Sequence, residues 1–422
     1  MRRKLFALLF TVALTGLSLL TSCWILPSTY TYIDYEPIYM PLEELRSSVE
    51  ALPSRSLTNP GKIWVYNQYL LINERGEGIH VIDNSNPSAP QFVSFLAIPG
   101  NGDMSVRENI LYADSYIDLV ALDISDPVAA REVGRVENIF PQTLENTGFN
   151  FDPERGVIVD WKEVIVEVEG DDDTMPVSEG GPFLRGGGIN TANDAATAAP
   201  GTSGELSLGG SMARFTIVNG TLYVVDDSNL QLFTLTEPTR PTPWAKVNIG
   251  WGIETIFAYG DKLFIGSQRG MFIYDNSNPL NPTQLAEFLH VRSCDPVVAD
   301  DKYAYVTLRT GTTCARGSNQ LDIIDIGNIR NPQLLKSYAM QNPHGLAIVG
   351  NTLYICDGEA GLKVFDAENR NDIRLETQDA SLETYDIIPV GSLAIVIGPD
   401  GLHQYDCSDP ANIQKLSVIA PR

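Results

Sequence analysis

The chain has 422 residues, with 53 acidic against 29 basic side chains and a formal net charge of −24. That charge argues against a nucleic-acid or anionic-membrane binder, because phosphates would be repelled. Hydrophobic residues at 43% supply a sizeable core, so global disorder is excluded, and 35 Gly and 26 Pro among many short strand-like runs favour one large all-β fold.

Residues 1–22 come first. Arg2, Arg3 and Lys4 precede an apolar run from Leu5 to Leu20, which reads as a secretory leader too short for a stable membrane span. The leader ends in Leu20-Thr21-Ser22-Cys23, which resembles the lipobox of bacterial lipoproteins. The resemblance implies a diacylglyceryl group on the sulfur of Cys23, cleavage before it, and acylation (palmitate or a similar chain) of the new amino group. Each buried methylene contributes about 0.8 kcal/mol, so several chains anchor stably. Trp24 follows Cys23 where an Asp would signal retention, so the expected address is extracytoplasmic, on the periplasmic or cell-surface face of an outer membrane.

Residues 23–60 read as a lipidated spacer. Within it Tyr30–Tyr39 is a candidate extra strand. Pro41 to Leu52 predicts a short helix, with Glu43 and Glu44 in its first turn and Leu42, Leu45, Val49 and Leu52 on one face. Such a helix packs under neighbouring structure or spaces it from the lipid.

From residue 61 to 422 one unit recurs seven times. It begins GIHVIDNSNP at 78, and returns at 118, 229, 270, 320, 361 and 401. The basic period is about 40 residues, with insertions of about 71 and about 10. Alternation such as Ile79/Val81 and Leu362/Val364 predicts a half-buried strand. The Asp that ends it (Asp83, Asp123, Asp275, Asp325, Asp366, Asp406) can accept a hydrogen bond from the backbone two residues on, and a Pro such as Pro87 or Pro279 then blocks further pairing. Upstream hairpins carry Gly-Asn, Gly-Asp or Asp-Asp pairs for the left-handed positions of a tight turn. With one further strand downstream, each repeat makes four antiparallel strands. The expected fold is an all-β, seven-bladed β-propeller of four-stranded antiparallel blades, with a short N-terminal helix and spacer and one long insertion. The repeats HVIDNSNP and DIIDI resemble the bacterial LVIVD-repeat family, which implies the same fold and little about function.

The insertion falls at 137–210. It contains a strand-like Val157–Glu169 and then, from Gly180 to Gly210, few large apolar groups, which predicts a partly disordered loop. Among the cysteines, Cys294 and Cys314 fall in two connections expected on one face of the fifth blade, so an exported chain would join them in a disulfide contributing about 2–4 kcal/mol. Cys356 and Cys407 fall on opposite faces and are expected to be free. No zinc spacing, nucleotide fingerprint, GxSxG or HExxH occurs, and His80 and His403 read as structural or surface residues.

Aligning the repeats yields one constellation. The residues that open the inner strands are Pro60, Gly102, Ala213, Glu254, Asp295, His344 and Tyr385, with Asp103, Arg214 and Asp386 immediately after their neighbours. Glu254, Asp295, His344 and Tyr385 thus form an arc at one channel mouth, able to take a divalent cation or a small polar ligand. Polar, water-filled channel mouths are equally ordinary in this fold, so no cofactor is assigned. The sequence favours a membrane-anchored protein-interaction or scaffolding propeller, without catalytic residues. A metal-dependent hydrolase using the arc, or a glycan binder using Trp161, Trp244 and Trp251, are the alternatives.

Overall fold

Seven repeats make seven four-stranded antiparallel blades, and the described residues hold almost no helix. The computed structural model describes residues 28–140, 152–170, 196–197, 207–289, 296–310 and 318–421. The blades occupy 60–97, 104–136, 215–248, 253–289, 297–339, 346–379 and 386–419, each taking its four strands in chain order. First strands of successive blades pack together and are therefore innermost.

The third strands are more buried than their alternation predicts. All of Gly78–Ile82 is buried, His80 included, because each blade is covered on both faces by its neighbours. The terminal Asp residues act as expected: Oδ1 of all six accepts a backbone N–H two residues on, at 2.8–3.0 Å. Gly260 and Gly350 take the left-handed turn positions. At Asp300-Asp301 the device differs: Asp300 Oδ1 accepts from the N–H groups of Lys302 and Tyr303, so the side chain, not a positive φ, makes the turn.

Every fourth strand carries a β-bulge at the equivalent residue: Val93, Val133, Trp244, Leu285, Leu335, Glu376 and Leu416. A bulge bends an edge strand and spoils its ladder, which discourages pairing with a second chain.

The spacer departs from expectation. The helix is only Leu42–Ser47, and Glu50–Pro53 forms an antiparallel strand on the outer edge of blade 1. Ser47 and Ser48 turn their hydroxyls back onto the carbonyls of Glu43 and Glu44, which favours termination. The open edge of Gln91–Ala97 then captures Glu50–Pro53 as a fifth strand. The helix packs on blade 2: Leu45 is buried with Ile117 and Val157, and Arg46 Nε lies 3.0 Å from the buried carboxylate of Asp118. Tyr30–Tyr39 does not add to a blade. It lies in Ser28–Met40, which pairs with Val157–Gly170. Most of this ribbon (28–38 with 160–170) belongs to a second, small unit, where the Tyr35 hydroxyl donates to Glu163 at 3.4 Å.

Most of the predicted loop 180–210 lies outside the described residues. Two pieces of it are strands. Ala196–Thr197 pairs with Ser207–Ser211, which pairs in turn with Pro60–Tyr66, the inner strand of blade 1. The reason is topological: the inner edge of blade 1 has free backbone donors and acceptors, and the chain returning to blade 3 satisfies them.

Candidate functional site

The arc at the channel mouth is only partly assembled among the described residues. His344 is 4% exposed and lies just ahead of the inner strand of blade 6. Its N–H donates to the Cys356 carbonyl at 2.7 Å, and its own carbonyl accepts from Thr307 Oγ1 at 2.6 Å. These bonds fix the ring against Tyr385, centroid to centroid 5.0 Å. Tyr385 is positioned the same way, donating its N–H to Ile397 O and accepting from Gly345 N. Adjacent blades thus bring these two predicted residues together. Glu254 accepts from Gln268 Nε2 at 3.1 Å within its own blade. Asp295, Cys294, Cys314 and Cys23 lie outside the described residues.

Burial, with the positive charge of Arg309 nearby, holds the His344 imidazole down at about 3, so it is neutral at pH 7. Burial, and Glu383 beside it, push the Tyr385 phenol up to about 12. Neither is poised to accept or donate a proton near neutrality. Among the described residues no three His, Cys, Asp or Glu converge to hold a metal ion.

The residues that follow the arc are engaged in the fold. Asp103 receives Lys62 Nζ at 2.8 Å and the backbone N–H groups of Arg214 and Phe215 at 2.6 and 3.2 Å. Asp103 therefore ties blades 1, 2 and 3 together. Asp386 is buried, and its Oδ1 accepts from Ser211 Oγ at 3.1 Å. Burial pushes this carboxyl well above the ordinary range.

Of the remaining candidates, His80, His403, Cys356 and Cys407 are buried, whereas Trp244 and Trp251 are exposed. His80 Nε2 is 2.7 Å from Glu74 Oε2, both fully buried, and hydrogen bonds from His80, Thr58 and Asn59 overcome the desolvation of Glu74 to hold its carboxyl down at about 2. His403 is buried. Cys356 and Cys407 are free and buried, as expected, and burial pushes the Cys407 thiol up to about 11, which makes it inert. Trp244 is bound to its neighbour blade, its Nε1 donating to Leu280 O at 2.9 Å.

Sequence reasoning missed Lys62 and Ser211. Lys62 sits two residues past an aligned position and carried a weak signal, alternation within an inner strand. Ser211 lies at the end of the low-complexity insertion and carried none.

The LVIVD repeat model matches residues 60–96, 101–138 and 292–340. No curated protein matches the chain. Among solved structures, a protein from Lactobacillus plantarum is similar at 12% identity and a TM-score of 0.55, covering 86% of this chain and 96% of that one. The periplasmic gluconolactonase of Pseudomonas aeruginosa is similar at 11% identity and 0.51, covering 85% and 96%. The computationally designed Ika8 protein is similar at 8% identity and 0.51, covering 88% and 92%. At such identities the likeness concerns the fold alone. Repeat match, strand order and inter-blade packing agree: the chain is a seven-bladed β-propeller that carries LVIVD repeats.

Proposed function

We propose that the chain is an extracytoplasmic propeller, tethered to a bacterial membrane through lipidated Cys23, that serves as a protein-interaction or scaffolding module. One observation carries the interaction reading. The carboxylates of Asp103 and Asp386 are spent on holding blades together, and a strand of the chain itself occupies the inner edge of blade 1. What remains for a partner is surface. The leader and the Leu20-Thr21-Ser22-Cys23 box support the tether, and a Cys294–Cys314 disulfide would suit the same compartment.

Two measurements test this reading. Cells fed an alkyne fatty acid should label the wild-type chain and leave Cys23→Ser unlabelled and released from membranes. Crosslinking in intact cells should then join a defined protein to the wild type. An unlabelled wild type would remove the tether. Turnover of a lactone or phosphoester panel by purified protein, lost in His344→Ala, would replace the interaction reading with catalysis.

A further inference from the structure

A propeller ring is stable only if its last blade is held to its first. Here each blade takes its four strands from one continuous stretch of chain, so no blade strand crosses the seam between blades 7 and 1. The seam has an apolar layer, with Ile63 and Ile72 against Ile395 and Leu402. It also has a reciprocal amide pair, Asn84 with Gln404, at 2.8 Å in both directions. Ser417 Oγ donates to the Pro87 carbonyl at 2.6 Å, but an equivalent bond is made at other junctions and gives the seam nothing extra. Farther out the seam is open, with a cavity of about 750 Å³ between Leu57, Phe92 and Ile419.

The inner side is where this junction differs. At the six other junctions the first strands of neighbouring blades pack directly together. At the seventh, the strand Ser207–Ser211 packs against both Pro60–Tyr66 of blade 1 and Asp386–Val390 of blade 7. We infer that Ser207–Ser211 is the clasp that closes the ring, holding blade 7 to blade 1 from the channel side.

The hydrogen bonds agree with that assignment. Ser207, Leu208 and Gly209 stand opposite Tyr66, Val65 and Trp64 in antiparallel register. Two residues later, the Ser211 N–H and hydroxyl both donate to Asp386 Oδ1, at 3.4 and 3.1 Å. The same hydroxyl oxygen accepts from the Leu346 N–H of blade 6 at 2.8 Å. Five residues therefore reach three blades. Ser211 and Asp386 are buried, so withdrawing the clasp would leave polar groups without partners, which the fold resists. The described end of the long insertion thereby becomes part of ring closure.

Hydrogen exchange on the full chain tests this. In L208P/G209P two consecutive prolines remove a ladder donor whichever of them faces blade 1. Amides of Pro60–Tyr66 and Asp386–Val390 should exchange at least tenfold faster, with Ile253–Tyr259 of blade 4 unchanged. Ser211→Ala should give a smaller rise at the same two strands. Ser94→Ala, which removes an ordinary stitch between blades 1 and 2, should leave Asp386–Val390 at wild-type rates. Unchanged protection in both clasp variants, or loss spread evenly over all blades, overturns the assignment. If the double proline does not fold, Ser211→Ala decides alone.

Discussion

At the scale of single residues, the repeat motif does more than end a strand. In five of the seven repeats, the carbonyl four positions after the residue that ends the third strand accepts a hydrogen bond from the preceding blade. Pro87 receives Ser417, Pro127 receives Ser94, Pro238 receives Tyr112, Pro279 receives Tyr223, and Arg370 in the same place receives Tyr338. Proline suits the position because it fixes the turn and keeps its carbonyl. The turn chemistry of these residues was legible in the sequence; the docking of their carbonyls was not, because the donors come from elsewhere in the chain. His344 shows the same division. Its blade position was legible, but its charge state depends on burial and on Arg309. A folded-state value of about 3 against an ordinary 6.5 means that the unfolded chain binds a proton which the folded chain refuses. The stability this neutral ring contributes is therefore full above the unfolded value and is lost as pH falls below it. Denaturant titrations of wild type and His344→Phe should differ in pH slope, the wild type losing roughly 1–2 kcal/mol more between pH 7 and 5. Asp386, shifted upward, pulls the opposite way in both proteins, so the difference isolates the histidine.

At the scale of elements, the glycine that opens the third strand explains itself only in three dimensions. Gly361 has φ +79°, and a Cβ there would sit 1.9 Å from the carbonyl of Asp379 in the fourth strand. Gly78 would meet Leu96 in the same way at 2.0 Å. In the four blades that open their third strand on Gly78, Gly270, Gly361 or Gly401, the fourth strand approaches so closely that no side chain fits there. Gly361→Ala should therefore cost about 2–4 kcal/mol in chemical denaturation, through clash as well as strain. Gly391→Ala, at φ +60° in a hairpin with nothing within 4 Å, should cost only about 1 kcal/mol. Equal costs would mean that backbone strain alone sets the penalty. Strand existence was legible at this scale, because alternation and turn residues are local. The bulged fourth strands and the Glu50–Pro53 edge strand were not, since each depends on which edge is free.

At the scale of the whole molecule, a net charge of −24 on one chain implies self-repulsion that ions can screen. Thermal unfolding should rise by a few degrees in Tm between about 20 and 200 mM NaCl; a fall would show that ion pairs such as Lys62–Asp103 outweigh the repulsion. The sequence by itself determined the seven blades, their four-strand order and their turn chemistry. Those properties rest on a repeated pattern of short-range contacts, and a pattern repeated seven times is hard to misread. The tertiary structure alone decided which polar residues meet across blades. It joined Lys62 to Asp103, and it brought Ser211 from the end of the insertion to Asp386. Residues separated by 175 positions leave no periodic trace of their meeting. It is the ring, once closed, that gives them a common buried space.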